Sequence, residues 1–144
     1  MAYNKSALRM ISGTATYAAA GDGASLAAFN FKDAAGTAIK IPSGALILGG
    51  GWNVITAPNS AGNATLQIKV GSTNMTTALL AASALSVMPI NAGGNFDALS
   101  NAAATGLYLT ADANLTWTIG TAALTAGVVH TYCVYVMAAT AATI

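Results

Sequence analysis

Residues 65–70 carry the cleanest alternation in the chain, with Thr65, Gln67 and Lys69 on one parity and Leu66, Ile68 and Val70 on the other. Successive side chains of an extended backbone point to opposite faces, so this pattern predicts a strand with one buried face. The same rule reads Asn114–Ile119 as a strand, with Leu115, Trp117 and Ile119 inward against Asn114, Thr116 and Thr118. Val128–Met137 differs, being apolar on both parities. Such a run fits the centre of a sandwich or a strand covered by a neighbouring subunit.

Turn residues cut the remaining apolar runs at short intervals. Ala7–Ala19 suits an extended segment, closed by the turn Gly21-Asp22-Gly23. Leu26–Phe31 puts Phe29 and Phe31 on one face before a turn from Lys32-Asp33 through Gly36, and Ile39–Ile41 is a short strand stopped by Pro42. Ala45–Thr56 contains Gly49-Gly50-Gly51, which inside a strand marks a bulge or the close approach of another backbone. Pro58 to Gly62 reads as the break before the next strand. Gly106–Thr110 and Asn114–Ile119 read as a hairpin through Ala111-Asp112-Ala113. Thr76–Leu85 has good helix formers with weak helical periodicity, so it is a short helix or a packed loop. Asn91–Asn101 is a Gly/Asn-rich loop with Phe96 as its anchor.

About eight strands joined by short turns predict an all-β fold, an antiparallel β-sandwich of jelly-roll-like type. The 144 residues fit a single domain, 1–144, with residues 1–10 as an N-terminal arm.

Composition changes the picture from fold to role. Only 6% of the chain is charged, it has no glutamate, and 55% is hydrophobic. An ordinary soluble domain is about a quarter charged, so this exterior must be built from Ala, Gly, Ser, Thr and Asn. Such a surface suits contact with other protein. The five cations, Lys5, Arg9, Lys32, Lys40 and Lys69, are scattered singly, so there is no basic stripe to bind nucleic acid. No charge follows Asp112, yet Gly120, Gly127 and His130 interrupt that stretch, and a membrane-spanning helix is not expected. The opening residues Met-Ala-Tyr-Asn-Lys lack a secretory signal, which argues against a transmembrane barrel and against glycosylation at Asn63, Asn74 or Asn114.

Candidate chemistry is sparse. His130 and Cys133 fall on opposite faces of one strand, so they cannot form a nucleophile–base pair, and Cys133 reads as a small buried hydrophobe. Asp22, Asp33 and Asp112 lie in or beside turns, where a carboxylate bonds local backbone. Gly21-Asp22-Gly23 lacks the alternating oxygens of a calcium loop. The expectation is a chain that is not an enzyme and takes no metal or cofactor. Trp52 and Tyr108 offer aromatic faces to a sugar, which keeps a carbohydrate-binding sandwich open; Trp117 belongs with the core.

Several stretches resemble structural proteins of tailed-phage virions, the head decoration (cement) proteins and fibre-base modules. They are Met75–Ser86, Leu107–Asp112, Leu115–Gly120 and Ala122–Val128 leading into the aromatic terminal strand. The resemblance covers about the last half of the chain and is one of pattern. It implies a homotrimer on the capsid exterior, bound to the major capsid protein and stabilising the shell. A trimeric tail or head-fibre module is the alternative. Under the cement reading the arm supplies partner contacts through Ala2, Tyr3, Asn4, Lys5 and Arg9.

Overall fold

The computed structural model describes residues 8–17, 28–60, 64–76, 93–96, 106–120 and 122–137. Within them the strands are β1 (Leu8–Tyr17), β2 (Ala28–Asn30), β3 (Lys40–Ile41), β4 (Ala45–Ser60) and β5 (Thr65–Val70). Then follow β6 (Thr73–Asn74), β7 (Gly93–Asn95), β8 (Leu107–Tyr108), β9 (Ala113–Gly120) and β10 (Leu124–Met137).

Two antiparallel sheets result. The first runs β1-β10-β4-β7, with β8 also paired to β4, and the second runs β2-β9-β5-β6, with β3 also paired to β9. The first half of the chain pairs with the second in reverse: β1 with β10, β2 and β3 with β9, β4 with β8 and β7, β5 with β6. Pairing of β10 with β4 and of β9 with β5 rolls this long hairpin into two sheets. That is a jelly roll.

The expected inward residues meet between the sheets. Leu66, Ile68, Val70, Leu115, Trp117 and Ile119 are all buried, and so are Val129, Cys133 and Tyr135 of β10. Each large apolar side chain contributes about 1.5–3 kcal/mol on burial, against about 1 kcal/mol net for a backbone hydrogen bond. The choice of buried face therefore sets register, since a one-residue slip would turn the whole inward set to solvent. Tyr17, Phe29 and Phe31 surround Trp117: its ring lies 4.8 Å from Tyr17 and 5.9 Å from Phe31, and Tyr17 meets Phe29 edge-on at 5.5 Å. Phe96 is buried as the anchor of its loop, although Gly93–Asn95 just before it forms a strand on β4.

The glycine run serves both purposes that its sequence suggests. Register between β4 and β10 shifts at Val134/Tyr135, so that Leu48 bulges out beside Gly49. A Cβ on Gly50 would strike the Phe96 ring and the Tyr132 carbonyl, and one on Gly51 would meet the Gly94 carbonyl oxygen at 2.7 Å.

Three expectations are corrected. No hairpin joins 106–110 to 114–119: β8 pairs with β4 in the first sheet while β9 lies in the second, so residues 109–112 cross between sheets. The turn before β4 holds that crossing, since Leu109 N–H donates to Ala45 O and Gly44 N–H to Leu109 O. Asp112 is accordingly no hairpin tip; its carboxylate accepts from Ser43 N–H at 2.9 Å, while Ser43 Oγ donates to Thr110 O. Second, β4 runs through Pro58 to Ser60. Register shifts there set Ala57 and Pro58 against Gly127, whose φ of 140° leaves room for the proline ring that a side chain would strike. Third, the final strand begins at Leu124, ahead of Val128. Of the Thr76–Leu85 stretch only Thr76 is among the described residues. It is buried, and its hydroxyl accepts from Ile68 N–H at 3.0 Å.

Candidate docking surface

Groups able to do chemistry do not converge among the described residues. His130 is half-buried on the outer side of β10 and Cys133 is fully buried on the inner side, as parity requires. Burial pushes the Cys133 thiol up to about 12, so it is held as the neutral, unreactive form. Asp33 spends its carboxylate on its own turn, accepting from Ala35 N–H at 2.9 Å and Thr37 N–H at 2.8 Å. No three His, Cys, Asp or Glu side chains among the described residues are grouped to hold a metal. Asp22 and the Gly-Asp-Gly turn lie outside those residues.

Trp52 and Tyr108 do not form a sugar platform. Trp52 is paired with Thr131, on the inner side of the first sheet, while Tyr108 is paired with Leu46 on the outer side. A cleft of about 360 Å³ opens between the sheets beside Thr14, Thr16, Tyr17, Phe29 and Asn30. The Tyr17 hydroxyl is sealed away from solvent there, and burial raises its pKa despite the neighbouring Trp117 indole. Lys32 and Asp33 also line the cleft, and the Asp33 carboxylate is occupied by its own turn.

The exposed apolar side chains gather on the outer face of the first sheet. Strand register lines up Leu8, Val136, Leu46 and Tyr108 as one row across four strands. The next row holds Met10, Val134 and Gly49, beside the bulged Leu48. Residues directly opposite on one face are about 5 Å apart, so the two rows form a continuous apolar band. Leu8 is 66% exposed, Met10 70%, Leu48 50% and Tyr108 53%. Farther along the same face the rows turn polar: Ser12, Tyr132, Gly51 and Asn95, then Thr14, His130, Asn53 and Gly93.

The second sheet presents the opposite character. Its outer rows are Ala28, Thr118 and Gln67, then Asn30, Thr116, Lys69 and Asn74. Every exposed large hydrophobic residue among the described residues, Ile55 and Tyr132 included, belongs to the first sheet. The sandwich is therefore one-sided.

Of the residues expected to contact a partner, Ala2, Tyr3, Asn4 and Lys5 lie outside the described residues. Arg9 is exposed and lies within β1, opposite Tyr135. Sequence reading missed Leu8, Met10, Leu46, Leu48 and Val136 as a unit. A clue was present in the two-sided apolar character of Val128–Met137, but only strand register reveals which distant residues extend it.

No protein-family model and no curated protein sequence matches the chain. Solved structures share its fold. A chain of the capsid of Ralstonia phage GP4 matches with a TM-score of 0.59 at 12% identity, covering 93% of this chain and 86% of that one. A chain of the cyanophage Pam1 capsid asymmetric unit matches with a TM-score of 0.52 at 15% identity, covering 90% and 84%. A chain of the acidic stable capsid structure of Helicobacter pylori bacteriophage KHP30 has a TM-score of 0.49 at 12% identity, covering 90% and 93%. The first two share with this chain a two-sheet sandwich fold that spans nearly its whole length.

Proposed function

We propose that this chain is a structural protein of a tailed-phage virion, a decoration protein that binds the major capsid protein on the shell exterior as a homotrimer and stabilises the shell. The supporting observation is its jelly-roll fold, shared with chains of the GP4 and Pam1 capsid structures, on a chain with only 6% charged residues. A neutral, small-residue exterior loses little side-chain entropy on docking and makes contacts that salt hardly screens. The segment before β1, with Ala2, Tyr3, Asn4 and Lys5, acts as the arm onto a neighbouring capsid subunit.

The test is to mix the purified protein with expanded, undecorated capsids. Saturable binding and capsids that survive harsher heating are expected; no binding at micromolar protein sinks the reading. Copy number separates the decoration protein, which is abundant on each particle, from a trimeric tail or head-fibre module, which is rare. Removing residues 2–6 should release the protein from capsids and leave the sandwich folded. The cut stops short of Leu8 because Leu8 already pairs with Val136.

A further inference from the structure

We propose that the apolar band at the Leu8 end of the first sheet is the surface through which identical copies of this chain meet. It deepens the decoration reading and rests on it for the copy number alone.

Three observations single out a second copy as the occupant. The band is more apolar than a transient contact needs: interfaces formed and released on demand are about as apolar as ordinary surface, whereas permanent homo-oligomer interfaces resemble a core cut in half. Leu8, Met10, Leu48 and Tyr108 would all be left in water by a protein that waits alone for its partner. Another copy is the one partner present from the moment the chain is made. Second, no charged residue stands in either row of the band, and Arg9 lies on the other parity of β1. In a ring of three, residues nearest the axis meet their own copies, where like charges would repel, and this band carries none. Third, β1 is the edge of its sheet, and among the described residues its far side pairs with another segment only at Thr14, bridged to Lys32, which leaves the Leu8 end of that edge open to a second copy.

Light scattering tests this without capsids. The unmodified protein should show three times the 14.2 kDa of one chain, and a protein carrying Met10→Lys and Leu48→Lys should fall to 14.2 kDa. Thr118→Lys, on the outer face of the second sheet, should keep the full mass. A second measurement does not depend on a destabilising change: Met10→Cys should give covalently linked copies with a short bismaleimide, because Cys133 is fully buried and does not react. A single-chain mass for the unmodified protein overturns the proposal. So does full mass in the double-lysine protein, or linking of Met10→Cys no greater than that of Thr118→Cys. Capsid binding is read separately. A monomer that saturates capsids removes the self-contact and keeps the decoration role, while an oligomer through this band that ignores capsids does the reverse.

Discussion

The ring of Phe96 lies where a Cβ on Gly50 would stand, with the Tyr132 carbonyl oxygen beside it. Gly50→Ala should therefore destabilise the fold by about 1–3 kcal/mol, the usual cost of overpacking. Phe96→Ala should cost about 3–5 kcal/mol on its own. Combined, the two should cost somewhat less than their sum, because removing the ring relieves one of the two clashes while that with the Tyr132 carbonyl stays. Strict additivity in denaturant unfolding would show that the contact is not the cause.

Cys133 links stability to alkaline pH. Its thiol goes from an ordinary value of 9.0 to about 12 in the fold, through burial. Above pH 9 the unfolded chain gives up this proton while the folded chain keeps it. Stability is thus fully present below pH 9 and falls as pH rises toward 12. Cys133→Ala should flatten the start of that decline in denaturation curves taken across pH. Tyr17, whose phenol is also raised by burial, should sustain the later part above pH 10.

Ser43 and Asp112 pin the crossing between sheets from an exposed position. Asp112→Ala should cost about 1 kcal/mol, with Asp112→Asn recovering part of it as a neutral acceptor. Amide hydrogen exchange at Ser43 should quicken in the Ala protein. Unchanged exchange would mean that the carboxylate does not hold the turn.

Thr76 gives a sharper case because its hydroxyl is buried. Thr76→Val keeps the shape and leaves Ile68 N–H without this acceptor, so a loss of about 1–3 kcal/mol is expected. Thr76→Ser should retain most of the stability. Equal losses in both would point to packing instead of the hydrogen bond.

Faces were readable from sequence wherever alternation was clean. Leu66, Ile68, Val70, Leu115, Trp117 and Ile119 point inward as their parity demands, since a side-chain period of two is a property of the strand itself. Partners were not readable. Leu107 and Tyr108 sit six and five residues before the start of β9, yet they join β4, because the turn at 42–45 offers backbone groups that a local hairpin would leave unused. Pro58 looked like a strand end because its φ and missing N–H usually stop pairing, and the accommodating Gly127 is far away in sequence. The apolar band was hidden for the same reason. Its members come from β1, β4, β8 and β10, and no stretch of sequence displays them together.

Pairing of β1 with β10 over the whole length of Leu8–Tyr17 has a consequence for how the molecule comes into being. While the chain is being synthesised, β1 has only the Thr14–Lys32 bridge until β10 has emerged, and β2 must wait for β9. Folding is then a late, all-at-once event with a high loop-closure cost, slow compared with a helical protein of this size. A ribosome that stalls before Leu124 releases a chain lacking β10, an inner strand of the first sheet. Such a fragment cannot present Val136 between Leu8 and Leu46 or Val134 between Met10 and Gly49. The topology thereby makes the apolar band a product of complete folding.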